Sequence, residues 1–198
     1  RSTAMRAFTG LRRPAPSILP ALAKVMRGQD AQMRCRAAQA ITRAAPKDPE
    51  AVALLLEGTH GADQGLRRAC LQELRSYAWA AGTVVPSLVE LMEKDPATDA
   101  LRIGSTLVAL GPEAKAAVPV LLGRLRVCAD ANSSVTMASW IADLGGDPIP
   151  TLLEALQGDD VQIFRAAGHT LRSRKADPSL LVPILRKALA SQVPQMSP

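Results

Sequence analysis

The chain has 198 residues, a net charge of +6 and only 3% aromatic residues, whereas 47% of its residues are hydrophobic. Alanine and leucine dominate, and both lose little entropy in a helix, so the composition favours an all-α protein. No run of about 18 apolar residues occurs, so we expect no transmembrane helix. The 15 prolines should therefore lie at helix starts or between helices, where no backbone N–H is needed.

The three cysteines are Cys35, Cys70 and Cys128. Their odd number and wide spacing predict neither a disulfide framework nor a Cys-x-x-Cys metal site. Free thiols packed in or near helices indicate a reducing compartment, so we expect a cytoplasmic protein. A periplasmic or exported protein stays open, because a removed signal peptide leaves no trace. The chain does not begin with methionine, so a fragment of a longer repeat protein, whose other parts carry the activity, also stays open.

Charge is distributed unevenly along the chain. Residues 1–47 hold ten basic residues and one acid, residues 48–160 hold eight and sixteen, and residues 161–198 hold six and one. Two basic ends flanking an acidic middle can steer an anionic partner, although the same charges also serve to solvate terminal repeats.

A proline-centred motif recurs along the chain, in the form of Ile18-Leu19-Pro20-Ala21-Leu22. It returns around Pro86, Pro119, Pro150 and Pro183, and a version without proline lies around Ala53. Pro20 and Pro86 are 66 residues apart, which is twice 33, and the later intervals are 33, 31 and 33. A fixed period of this length is typical of stacked helical repeats.

Each repeat is predicted to hold two helices, taken in chain order. The first helix carries the proline in its opening turn, a short polar turn follows, and a second helix rich in small residues contains one apolar anchor. The anchors are Ile41, Leu74, Leu107, Trp140 and Leu171, at intervals of 33, 33, 33 and 31. One such pair cannot bury its own apolar faces, so neighbours must stack.

The predicted fold is therefore all-α, a right-handed α-solenoid of about five helical-hairpin repeats plus a terminal helix near Pro183–Ala190. We expect an N-terminal tail over residues 1–15, a repeat domain over 16–190 and a C-terminal tail over 191–198. Strands forming a sheet within the repeat domain would contradict this prediction.

Two segments resemble known repeats. Residues 106–119, Thr-Leu-Val-Ala-Leu-Gly-Pro-Glu-Ala-Lys-Ala-Ala-Val-Pro, are similar to the junction between bacterial HEAT-like repeats of the PBS-lyase type, and residues 160–167 resemble the start of that family's second helix. The resemblance implies a structural ladder between repeats, with Asp30 and Arg34 in one repeat and Asp63 and Arg67 in the next. In later repeats the aspartate position holds Pro96, Ala129 and Asp160, and the arginine position holds Ala100, Ser133 and Phe164. The ladder should therefore be confined to the N-terminal half.

Residues suited to catalysis do not converge in the sequence. His60 and His169 belong to different repeats, and neither has a metal-ligand neighbour at the required spacing. Asp159 and Asp160 precede a predicted helix, where aspartate caps the first N–H groups. We therefore expect no enzymatic activity, no cofactor, no metal and no small-molecule substrate.

The resemblance to HEAT repeats implies a scaffold or adaptor that binds a macromolecule, most simply a protein, on the concave face lined by second helices. Fold alone does not decide function. The outward positions of those helices hold Arg36, Gln39, Arg68, Gln72, Arg75, Arg102, Arg165, His169 and Arg172. Such a strip could instead be a solvated face. The alternative partner is nucleic acid, as in DNA glycosylases that resemble HEAT solenoids, but the chain has few aromatics for base stacking: Tyr77 and Trp140 fall on core-like positions and Trp79 near a repeat junction.

Overall fold

The computed structural model describes residues 16–94, 99–145, 148–155 and 161–175, together with Asp177, Ser179, Val182 and Arg186. Every regular element in these ranges is a helix and no strand occurs among them, which confirms the all-α prediction. The predicted tails lie outside the described residues. So does the predicted terminal helix, apart from Arg186, which is helical.

Ten α-helices form in the described residues. They are α1 (Leu19–Met26), α2 (Ala31–Ala44), α3 (Pro49–His60), α4 (Gln64–Leu74), α5 (Ala81–Lys94), α6 (Ala100–Leu110), α7 (Val118–Arg126), α8 (Ala131–Leu144), α9 (Pro148–Ala155) and α10 (Val161–Ser173). Short 3-10 helices cover Pro16–Ile18, Ala78–Ala80 and Pro112–Ala117. The odd-numbered helices correspond to the predicted first helices of the five pairs, and the even-numbered helices to the second.

The chain divides into two compact units, Arg1–Ala114 and Lys115–Pro198. In the first unit, α2 packs on α4 and α4 on α6, while α1 packs on α3 and α3 on α5. In the second unit, α8 contacts α7, α9 and α10, and α10 also contacts α7. In the described part of the chain, none of the helices has both the length and the apolar composition needed to cross a bilayer.

Among the described residues, an aspartate caps the start of four second helices. These N-cap residues are Asp30, Asp63, Asp99 and Asp130, and each carboxylate accepts a backbone N–H from the first turn of its helix at 2.7–3.2 Å. One such cap stabilises a helix by about 1 kcal/mol. Pro96 and Ala129 were predicted to occupy the aspartate position in the third and fourth repeats. This prediction is wrong for the cap residues, which are Asp99 and Asp130, because α6 and α8 begin later than a constant spacing requires.

Four of the five predicted anchors are fully buried: Ile41, Leu74, Leu107 and Leu171 are all 0% exposed. The fourth anchor, Trp140, is only half-buried, and its neighbour Ile141 is 0% exposed instead. Successive helical residues point about 100° apart, so a one-residue error in phase moves a side chain from the core toward the helix flank. The apolar stripe of α8 is formed by Met137, Ala138 and Ile141.

Proline starts most of the first helices but not all of them. Pro20 and Pro119 lie at the first positions of α1 and α7. Pro86 lies inside α5, which begins at Ala81, so its predicted place in an opening turn is wrong. The 3-10 helix Ala78–Ala80 runs directly into α5 and extends this helix upstream. An interior proline removes one backbone hydrogen bond, and here it sits on the exposed side of the helix.

Helix α3 approaches α4 closely at Gly58. A Cβ atom added there would lie 2.4 Å from Cys70 Sγ and 3.0 Å from Met26 Cε. We expect Gly58→Ala to lower the free energy of unfolding by about 1–3 kcal/mol, because an added methyl group overpacks the site. Alanine's better helix propensity offsets at most about 1 kcal/mol of this loss. Urea unfolding followed by circular dichroism measures the change.

Gly82→Ala in α5 is the matched control, because its Cβ would meet nothing within 4 Å. It should be neutral or stabilise the chain by up to about 1 kcal/mol. Equal stabilities of Gly58→Ala and Gly82→Ala would contradict the close approach of α3 to α4.

Candidate interaction surface

Six of the predicted binding residues lie on second helices of the first unit. They are Arg36 and Gln39 on α2, Arg68, Gln72 and Arg75 on α4, and Arg102 on α6; all are exposed except Arg36, which is half-buried. We call this set the first basic face. The three helices that carry it pack side by side, α2 on α4 and α4 on α6, and none of the six side chains is part of the core.

Three arginines of the first basic face have no acidic partner among the described residues. Among the described residues, Arg36, Arg68 and Arg75 form no ion pair, whereas Arg102 bridges Asp99 at 2.7 Å. An unpaired guanidinium keeps its fork of N–H donors available for a carboxylate or phosphate. The first basic face can therefore bind anions without breaking an internal contact at these three positions.

In the second unit, Arg165, His169 and Arg172 recur on α10 at the spacing i, i+4, i+7. All three are exposed, and we call them the second basic face. Residues at this spacing share one side of a helix. Arg165 and His169 also line a cleft with a volume of about 390 Å³, whose opposite wall is the first turns of α8.

Arg34 connects the first helical pair to the second. Its Nε donates to Asp63 Oδ2 at 2.8 Å, its Nη2 donates to the same oxygen, and its Nη1 donates to the carbonyls of Gly28 and Gln29 at 2.8 and 3.0 Å. Asp63 also caps α4 through Gly65 N–H and Leu66 N–H. The hydrogen bond from Arg34 is the main cause that lowers the pKa of the Asp63 carboxyl.

Part of this arrangement recurs 33 residues later in the chain. Arg67 Nη2 donates to the carbonyl of Gly61 at 3.1 Å, which parallels the contact of Arg34 with Gly28. Four residues after the caps of α6 and α8 stand Ile103 and Ser134, both buried, so the arginine of the ladder is absent from these two helices.

A polar link in the second unit was not predicted. Arg174 Nη2 donates to Asp143 Oδ1 at 2.5 Å and to Ser139 Oγ at 3.2 Å, which ties the chain after α10 to α8. This link does not use the aspartate and arginine positions of the ladder. The signal was present, since Asp143 and Arg174 are 31 residues apart, the interval found between the last two anchors.

The two histidines of the sequence are both exposed. His60 ends α3, with its Nε2 3.3 Å from Ser87 Oγ, and His169 belongs to the second basic face. In the part of the chain that the structure describes, no group of three His, Cys, Asp or Glu residues could hold a metal ion. Burial raises the pKa of the Cys70 thiol to about 12, so this thiol stays protonated and unreactive at neutral pH. The expected capping by Asp159 and Asp160 lies outside the described residues.

The prediction missed exposed residues on two of the second helices. Gln32 and Arg43 are exposed on α2 at the same spacing as Arg36 and Gln39, and Asn132 and Thr136 are exposed on α8. The i, i+4, i+7 pattern could have found all four. No binding residue was predicted on α8.

Comparison with known protein families and with curated proteins finds no match for this chain. The resemblance to HEAT repeats therefore depends on the repeat period and on the two segments described above.

Proposed function

We propose that this chain is a non-catalytic HEAT-like repeat scaffold that binds a protein partner through the exposed faces of its second helices, on the concave side of a solenoid. The observation that carries the proposal is a set of arginines that form no ion pair with a described residue, on helices that pack side by side: Arg36, Arg68 and Arg75. Arginine forms two parallel hydrogen bonds with a carboxylate. An acidic protein surface is thus the partner that this chemistry favours.

The placement of the aromatic residues favours protein over nucleic acid. Tyr77 is 0% exposed, and the indole N–H of Trp79 donates to the carbonyl of Pro46 at 3.0 Å. Neither belongs to the first or second basic face. Binding of single strands or extruded bases relies on aromatic side chains that stack on the bases, and the described residues of the two basic faces offer none.

The test is affinity capture from the native host with the whole chain as bait, followed by mass spectrometry. We expect Arg68→Glu and Arg165→Glu each to abolish capture of the partner, because each places a carboxylate against the acidic surface, where like charges repel. Lys24→Glu is the matched control. It makes the same charge change at an exposed position of α1, a first helix, and it should leave capture intact.

A second measurement separates protein from nucleic acid. We expect duplex DNA to bind only weakly at physiological salt. Strong DNA binding that falls steeply with salt concentration and ignores sequence would replace the proposed partner by nucleic acid. Capture that survives both arginine reversals, with the fold intact by circular dichroism, would show that the partner binds elsewhere.

A further inference from the structure

Part of the basic surface of the second unit forms a cleft. It lies between the first turns of α8 and the middle of α10, and its volume of about 390 Å³ falls at the lower end of the range of ligand pockets, about 300–1,000 Å³. Val135 and Ala166 supply apolar wall, and its polar side chains are Asn132, Ser134, Thr136, Arg165 and His169. The cleft is thus large enough for a side chain together with the backbone that carries it.

The N–H donors of the cleft come from Asn132, Arg165 and His169. The hydroxyls add no donor, because Thr136 Oγ1 already donates to the carbonyl of Asn132 at 2.8 Å and Ser134 Oγ to the carbonyl of Asp130 at 2.9 Å. The guanidinium of Arg165 forms no ion pair with a described residue. The Asn132 amide and the His169 ring add further N–H groups.

None of the described residues that line the cleft is acidic, so no lining side chain neutralises this donor set. The nearest acid in the sequence, Asp130, forms no ion pair with a described residue and caps α8, where its carboxylate accepts the N–H of Ser133 at 2.7 Å. An unneutralised cation in a concave site concentrates its field on whatever enters. The chemistry that matches such a site is an oxyanion with a short apolar stem.

Building on the proposed function, we infer that this cleft binds the carboxylate side chain of an acidic segment of the protein partner. Arg165 holds the carboxylate through its N–H fork, and the Asn132 amide donates a further hydrogen bond. Val135 and Ala166 pack against the methylene groups of the same side chain. The cleft thus sets where on the second unit the partner is anchored, whereas Arg172 contributes only its charge to the surrounding surface.

The experiment uses a fluorescein-labelled peptide of alternating glutamate and glycine, with the glutamine–glycine peptide as the uncharged control, and measures binding to the whole chain by fluorescence polarisation. We expect the glutamate peptide to bind and the glutamine peptide to bind at least about tenfold more weakly, since the charged hydrogen bonds are lost. Arg165→Gln should weaken the glutamate peptide by a similar factor. Arg172→Gln, which removes the same charge from the same helix outside the cleft, should change the affinity less than about twofold.

Equal losses in Arg165→Gln and Arg172→Gln would overturn the inference, because they would indicate diffuse attraction to the surface. Tight binding of a phosphoserine–glycine peptide, with no binding of the glutamate peptide, would also overturn it and make the ligand a phosphate. If the glutamate peptide does not bind while Arg68-dependent capture of a protein persists, the inference fails and the proposed function stands. Cleft-dependent peptide binding without any captured protein would support the cleft and remove the proposed function.

Discussion

Replacing Tyr77 by alanine is expected to lower the free energy of unfolding by about 3–5 kcal/mol, the range for large aromatic side chains removed from a core. Tyr77 is 0% exposed and is the largest of the fully buried side chains in the described residues. Its hydroxyl donates to the carbonyl of Ala45 at 3.3 Å, and its ring lies 6.1 Å from that of Trp79 in a tilted arrangement. The side chain joins the turn after α2 to the segment before α5. Urea or guanidinium unfolding provides the measurement.

Tyr77→Phe separates packing from the hydrogen bond. It keeps the ring and removes only the hydroxyl, so we expect a loss of about 0.5–1.5 kcal/mol, the net value of one hydrogen bond. A Tyr77→Ala variant no less stable than Tyr77→Phe would show that the ring is not part of the core.

Tyr77 should also make the chain sensitive to alkali. Burial raises the pKa of its phenol above the usual value of 10. The unfolded chain therefore releases this proton first as the pH rises through about 10, and stability falls with further increase in pH until the folded-state pKa is passed. In Tyr77→Phe this component of the alkaline loss should disappear. An unchanged pH profile above 10 would contradict the burial of the phenol.

The repeat period made most of the fold predictable. The intervals near 33 residues between prolines and between anchors predicted five helical pairs, and the ten described α-helices match these pairs in number and order. Apolar periodicity works here because each helix must bury one stripe, and the stripe leaves its spacing in the sequence. Ile41, Leu74 and Leu107 were found in this way.

The repeat period did not predict how each helix is rotated about its axis or where each helix begins and ends. Trp140 and Ile141 are both apolar neighbours in α8, so composition does not tell which one faces the core, and only packing decides between them. Pro86 keeps the repeat spacing although its helix begins earlier, because the preceding 3-10 helix extends it. The cleft beside Arg165 depends on how α8 and α10 cross, and a crossing angle depends on side-chain packing between helices rather than on spacing along one of them.

The second large effect is expected at the link between the first two helical pairs. We expect Arg34→Ala to lower the free energy of unfolding by about 2–3 kcal/mol at neutral pH. Arg34 and Asp63 are part-buried, with side-chain exposures of 20% and 25%, so losing one partner leaves a carboxylate that is only partly solvated, which costs more than losing a surface ion pair. The carbonyls of Gly28 and Gln29 lose their donor as well.

The matched control is Arg43→Ala, which truncates an exposed arginine of the same helix that forms no ion pair with the described residues. It should change stability by no more than about 0.5 kcal/mol. If the two alanine variants were equally stable, Arg34 would be contributing no more than a solvated surface arginine does.

The dependence on pH identifies Asp63 as the partner. Arg34 lowers the pKa of this carboxyl, so the ion pair stabilises the folded chain fully above the unfolded-state pKa, about 3.9. This stabilisation is lost as the pH falls below about 4 and through the lower folded-state pKa. The gap in stability between the natural chain and Arg34→Ala should therefore be constant from pH 7 to about pH 5 and shrink at lower pH. A gap that stays constant into acid would mean that Arg34 stabilises the fold through the carbonyls of Gly28 and Gln29 and not through the carboxylate of Asp63.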